Sequence, residues 1–139
     1  SDKNSALFDV VMPEHNFFMK WNLKTYGSTW IIDPNSVNEI GCIHTCQGLE
    51  VDYIGVIVGN DLIVRNGEVL VQPAARSKMD KSIFGYKKRM KENPDETKSL
   101  LKAIIKNTYR TLMTRGMKGC YIYFTDKETE DFFRSKISQ

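Results

Sequence analysis

Residues 44 to 50 read His44-Thr45-Cys46-Gln47-Gly48-Leu49-Glu50 and stand between two apolar runs, Ile40 to Ile43 and Tyr53 to Val58. They place hydrogen-bonding and titratable side chains where a buried strand is expected to pass into a loop and a short helix. In open α/β sheets the carboxyl ends of the strands carry the ligand site. Glu50 can accept hydrogen bonds from a ribose hydroxyl, and Gly48 lets the backbone approach a nucleotide closely. Gln47 and Thr45 can hydrogen-bond phosphate or backbone, and His44 can contact a nucleic-acid phosphate. Each residue also has a plainer use, as a loop residue capping the following short helix or, for His44, as a satisfied core histidine.

A second cluster, Tyr109-Arg110-Thr111-Leu112-Met113-Thr114-Arg115-Gly116, ends a helix and leads into another apolar run. Arg115 stands at the helix end, where a guanidinium can reach across an interface. An arginine finger stabilises charge on a transferring phosphoryl group and contributes ~10³ to 10⁵ in rate. A cation at a helix C-terminus also complements the helix dipole, and spacing alone does not separate the two roles. Arg110, one turn earlier, is a second phosphate contact or a surface charge. From Arg76 to Lys91, seven basic residues (Arg76, Lys78, Lys81, Lys87, Lys88, Arg89, Lys91) face one acid, Asp80. They form a phosphate-contacting surface, with Lys87 and Lys88 at its centre, or a solvated helix face.

Nucleotide hydrolysis needs a phosphate cradle, a Mg²⁺-binding group and a cation at the γ-phosphate. No Gly-rich loop ending in Lys-Ser/Thr is present, and no Asp-Glu pair follows an apolar strand. The chain by itself is therefore expected not to hydrolyse ATP. It can supply the cation.

The elements that must position these residues follow from periodicity. Glu39 to Ile43 reads as a short strand. Tyr53 to Val58 is apolar throughout, as in a central parallel strand buried on both faces. Asp61 to Arg65 and Glu68 to Gln72 flank Asn66-Gly67, the signature of a β-hairpin with a type I′ turn, so residues 61–72 read as a hairpin inserted on the core and projecting from it. Ser77 to Met90 reads as helical. Asn93 as cap, Pro94 at the first position and Glu96 reaching back predict a second helix. Its apolar stripe is Leu101, Ile104, Ile105, Thr108 and Leu112, and Gly116 ends it near residue 115. Residues 119–124 are another core strand, and an amphipathic helix runs from about Lys127 to Lys136. Residues 1–36, aromatic-rich at Phe17, Phe18, Trp21 and Trp30, read as an irregular lead-in of short strands and loops. Alternating strands and helices predict a three-layer α/β/α domain with a mainly parallel sheet.

The chain has 139 residues, enough for one domain with a real core. Its 41% apolar and 27% charged content is ordinary for a globular protein. No apolar run approaches the about 20 residues that span a membrane, and no signal peptide is visible. The chain opens Ser1-Asp2-Lys3 without an initiator Met, as expected of a piece of a longer parent. Three cysteines cannot pair completely, and Cys42 and Cys120 lie in apolar runs as small hydrophobes, which favours a reducing, cytoplasmic setting. Cys42-x-His44-x-Cys46 fits no common zinc spacing, so no metal site is expected. A net charge of +3 points only weakly to a polyanionic partner.

The two clusters resemble the last two motifs of superfamily-one helicases, Thr-x-His-x-x-Gln/Lys-Gly-Leu-Glu-Phe-Asp and Tyr-x-x-Leu-Thr-Arg. The longer stretches Glu39 to Leu62 and Asn107 to Tyr121, with Trp21-Asn22 upstream, closely resemble a bacterial family of ATP/GTP-binding proteins, the Schlafen group 3-type DNA/RNA helicase domain. That resemblance covers most of residues 20 to 125. It implies a P-loop NTPase of two RecA-like lobes, with residues 1–139 as the C-terminal lobe. It implies that Glu50 and Gly48 face nucleotide, that Arg115 faces the γ-phosphate, and that His44 and Thr45 face nucleic acid, either DNA or RNA. ATP and Mg²⁺ would be held only in the complete parent, whose N-terminal lobe carries the phosphate loop and the Mg²⁺ acid. The pattern departs at Gly116-Met117, where helicases have Ser/Ala-type residues. The small domain leaves little room for strand-separating subdomains, so coupled nucleic-acid binding is expected rather than processive unwinding. The alternative is a stand-alone module that binds nucleic acid or protein without nucleotide chemistry.

Overall fold

Pro13 and Asn16 bend the start of the chain into a hairpin. The computed structural model describes residues 7–22, 27–78 and 80–139, so parts of the 1–36 lead-in and residue 79 of the 77–90 segment lie outside the described residues. Two units form, residues 1–49 and 50–139. In the first, β1 (Val10–Met12) pairs antiparallel with β2 (Phe17–Trp21) across a 3₁₀ turn at Pro13–His15. Asn16 closes that turn at φ 50, a left-handed conformation that Asn tolerates better than most residues. Phe18 packs against Phe8, with ring centroids 5.9 Å apart. β3 (Glu39–Ile40) adds in parallel to β2.

The strand expected over 39–43 is thus two residues long, and it belongs to this sheet. Its continuation is prevented by α1 (Ile43–Cys46). The Thr45 hydroxyl accepts a hydrogen bond from the Cys42 N–H at 2.9 Å and donates to the Cys42 carbonyl at 3.1 Å. The first of these satisfies an N–H at the helix start that would otherwise be left open. Gly41 lies flat against an indole: a Cβ there would come within 2.6 Å of the Trp30 ring and 2.8 Å of the Cys46 sulfur.

In the second unit, β4 (Val51–Val58) pairs in parallel with β7 (Gly116–Phe124). Between them run the hairpin β5 (Leu62–Arg65) and β6 (Glu68–Val71), α2 (Tyr86–Glu92) and α3 (Pro94–Met113), and α4 (Lys127–Ile137) follows. Alternation sorts the β4–β7 residues by face. Ile54, Val56 and Val58 with Cys120, Ile122 and Phe124 point to one side, where α3, the hairpin and α4 gather around Leu62, Ile105 and Tyr109. On the other side Tyr53 and Tyr121 remain 57% and 72% exposed. The expectation that Tyr53 to Val58 is buried on both faces is therefore corrected. Among the described residues this sheet has two strands, and one layer covers it.

The hairpin is also corrected. Asn66 and Gly67 adopt φ 52 and 76, as a type I′ turn requires, but the hairpin does not project. Leu62, Ile63 and Val64 are each at most 5% exposed. Its inner strand is clamped by α4: the buried Thr129 hydroxyl accepts from the Val64 N–H at 2.9 Å and donates to the helix-capping Asp126 at 2.6 Å. Arg65 grips the same carboxylate through two nitrogens at 2.7 and 2.8 Å. The helix expected over 77–90 is instead a 3₁₀ turn, Lys81–Ile83, followed by α2, because Gly85 turns left-handed at φ 77. Asn93 does not cap α3 through its side chain; its backbone carbonyl receives the Thr97 N–H at 3.0 Å. The chain is mixed α/β on small sheets, and two of its four strand pairings are parallel among the described residues. No helix among them is long and apolar enough to cross a membrane.

Candidate functional site

The motif at 44–50 is carried by α1 and the turn after it. His44 is exposed on α1, which corrects its placement at a strand end. Thr45 is committed to the Cys42 backbone, and Cys46 is buried, its thiol pushed up chiefly by that burial. Gln47 closes the helix with its N–H on the Ile43 carbonyl at 3.0 Å. Gly48 is left-handed at φ 82, with open space where a side chain would stand. Any other residue is strained there, and the bare backbone is open to approach. The division between the two units falls after Leu49, so Glu50 belongs with β4.

Glu50 and Arg115 immediately precede two neighbouring parallel strands. The Val51 N–H donates to the Arg115 carbonyl at 3.0 Å, and Val51 stands opposite Gly116. The pair therefore sits at the amino ends of β4 and β7: Arg115 between a helix end and a strand, as its sequence position implies, and Glu50 leading into a strand, where the 44–50 motif is expected to follow one. Arg115 folds back on α3: its Nε donates to the Thr111 carbonyl at 3.1 Å, and Nη2 approaches the Thr114 hydroxyl at 3.4 Å. That geometry satisfies a terminal carbonyl and complements the dipole, worth roughly 0.3–1 kcal/mol. Arg110 is exposed one turn earlier. The departure at Gly116 has a steric reason. The register slips between Val51 and Tyr53, and a Cβ on Gly116 would collide with the Gly119 carbonyl oxygen.

Sequence reasoning missed a buried polar cluster at the carboxyl end of β4. Tyr109 donates to Asp61 and accepts from the Gly59 N–H at 3.1 Å. Burial first, then the Asp61 carboxylate, raises the Tyr109 pKa, so the phenol keeps its proton. Arg76 reaches Asp61 at 3.3 Å, Asp80 through Nε, and the Thr108 hydroxyl at 3.1 Å. Its side chain is 6% exposed. Arg76 thus leaves the basic surface to which its sequence position assigned it. The only signal in the chain was the presence of two nearby acids, Asp61 and Asp80.

This cluster carries a pH dependence. Burial alone would raise the Asp80 carboxyl, but hydrogen bonds from Ser82 and the Arg76 guanidinium outweigh it and lower the value from 3.8 to about 2. A depressed folded-state pKa stabilises above the unfolded value and loses that stabilisation as pH falls through the folded one. Urea melts should therefore show a loss on the order of 2 kcal/mol between about pH 5 and pH 2 that Asp80→Asn abolishes. An unchanged acid limb in the variant would show the bond to be screened.

Lys87 and Lys88 project from α2 into solvent, beside exposed Lys81 and Arg89. Among the described residues no group of three or more His, Cys, Asp or Glu side chains is placed to hold a metal ion.

Glu50, the last residue of the first motif, and Arg115 of the second thus precede adjacent strands of one mixed α/β unit. Residues 1–126 match the model of the Schlafen group 3, DNA/RNA helicase domain, and the chain belongs to that family. It is similar to YPL245W, an uncharacterized protein of Saccharomyces cerevisiae, at 28% identity over 118 residues, 84% of this chain and 25% of that protein. The chain spans about a quarter of the length of this curated relative. No solved structure matches it.

Proposed function

We propose that the chain is the C-terminal, RecA-like lobe of a nucleic-acid-dependent ATPase of helicase type. The observation that carries this reading is the contact between Val51 and Arg115, which sets Glu50 of one motif beside Arg115 of the other at one edge of a parallel pair. The match to a helicase-domain family supports it. In this reading Glu50, Gly48 and Gln47 contact the nucleotide, with Arg110 at its rim. Arg115 leaves the Thr111 carbonyl to meet the γ-phosphate when a phosphate-loop lobe closes on it. His44, Thr45, Lys87 and Lys88 face DNA or RNA. Mg²⁺ is held by the other lobe.

Half a site binds with about half its contacts. Calorimetric titration of the isolated chain with ATP and Mg²⁺ should give at most weak binding and no turnover. Submicromolar affinity, or hydrolysis by this chain, would overturn the shared-site reading. The hydrogen bond from Arg115 to Thr111 favours a second reading. There the guanidinium serves only the helix end, and the chain is a binding module without nucleotide chemistry.

A further inference from the structure

We infer that Phe84 is a base-stacking residue and that, with Lys81, Lys87 and Lys88, it forms a binding surface for single-stranded nucleic acid. This rests on the nucleic-acid reading above and adds to it a residue and a mode of contact.

Two neighbouring side chains part company at this turn. Ile83 is 8% exposed and Phe84 is 88% exposed. The parting is built into the backbone. Asp80 caps the 3₁₀ turn by accepting the Ser82 N–H at 2.8 Å, and the buried Arg76 holds Asp80 from behind. The Phe84 N–H bonds the Lys81 carbonyl at 3.1 Å, and Gly85 then turns left-handed at φ 77 to start α2. With Ile83 buried and Gly85 turned, the Phe84 ring is presented to water. A fold that needed only a link between Arg76 and α2 gains nothing from an exposed phenyl ring.

The surroundings say what covers it. Lys81 lies three residues before the ring, and Lys87, Lys88 and Arg89 occupy the first turn of α2 after it, all exposed. The one acid within the turn, Asp80, is already engaged by Arg76. An exposed aromatic ring flanked in sequence by exposed cations, with Glu92 at the far end of α2 the only acid on that helix, fits a strand with bases to stack and phosphates to pair. A protein partner would have to be acidic and apolar at once, and a membrane would have to be anionic. Family membership in a DNA/RNA helicase domain favours the strand.

The test is fluorescence anisotropy of the full chain with labelled twelve-residue oligo-U and oligo-dT at several salt concentrations. Phe84→Ala should weaken binding about tenfold, as loss of one stacked base does, and leave the slope of affinity against salt unchanged. Phe84→Leu should behave like Ala, because it keeps apolar area without a π-face. Phe84→Trp should retain affinity, and its added emission should be quenched when oligonucleotide binds. Lys87→Glu with Lys88→Glu should weaken binding and flatten the salt slope. If the lysine variants lose affinity while Phe84→Ala and Phe84→Leu do not, stacking is wrong and the nucleic-acid reading stands. If the wild-type chain binds neither oligonucleotide at low salt, both fail. Binding to vesicles containing phosphatidylserine in place of oligonucleotide would overturn the inference in favour of a membrane surface.

Discussion

Replacing Arg76 with alanine should unfold the larger unit more readily than any other single change to a charged residue. The side chain is 6% exposed and links three elements: Asp61 after β4, Asp80 at the 3₁₀ turn, and Thr108 on α3. Truncation leaves two carboxylates, 9% and 14% exposed, without their cation. Removing one partner of a buried ion pair costs about 3–5 kcal/mol, because the remaining charge stays desolvated. Small domains have about 5–15 kcal/mol in total. The variant should therefore lose a large share of its stability, and its melting temperature should fall by more than about 10 °C. Arg76→Lys keeps the charge but not the planar fork that meets two acids and a hydroxyl, so it should fall between. A denaturant midpoint shifted by less than the equivalent of about 1 kcal/mol in the alanine variant would show that water screens the cluster.

In the complete parent, Arg115→Ala should reduce ATP turnover at least ~100-fold, on the order of 3 kcal/mol, with ATP binding largely intact. Charge develops on the transferring phosphoryl group only as the reaction proceeds, so a cation aimed at it acts on rate more than on ground-state affinity. The folded-back pose of Arg115 predicts the structural side effect. A cation at a helix C-terminus contributes roughly 0.3–1 kcal/mol, too little to unfold the domain and separable from the kinetic loss by a thermal melt. Glu50→Ala should do the reverse, weakening nucleotide binding with little change in the chemical step, because a ribose contact is the same in ground and transition states. Near-normal turnover in a stably folded Arg115→Ala parent would leave the guanidinium as a helix cap and make the binding module the better account.

The sequence was most legible where local pattern and tertiary setting agree. The stripe from Leu101 to Leu112 does face the core, with Leu101 and Ile105 at most 2% exposed. Asn66-Gly67 makes the turn its composition dictates, and α4 runs over Lys127–Ile137, where an amphipathic helix is expected from about Lys127 to Lys136. Reading failed where the outcome depends on distant partners. Tyr53 to Val58 is apolar at every step, but only one face meets α3 and the hairpin, and no local pattern reveals how many layers cover a strand. Residues 61–72 looked like an appendage because hairpin signals are local, whereas the burial of Leu62 to Val64 is set by Thr129 on the last helix. The motif residues themselves were easy to pick out. Their juxtaposition was not, since Glu50 and Arg115 become neighbours only through the parallel pairing of β4 with β7. Arg76 shows the converse. Among seven basic residues it is the one whose side chain is buried between two acids, and a charge count cannot distinguish it from Lys87 or Lys88.

Whether this chain completes an ATP site begun by another lobe is decided by one comparison. The most direct measurement is ATP hydrolysis by the complete parent at saturating single-stranded oligonucleotide, compared with the same protein lacking residues 44–139. The truncated protein should still bind ATP but hydrolyse it at the uncatalysed background rate, with no stimulation by oligonucleotide, and the separated chain supplied in excess should restore part of the turnover. Equal turnover with and without these residues would contradict the shared site.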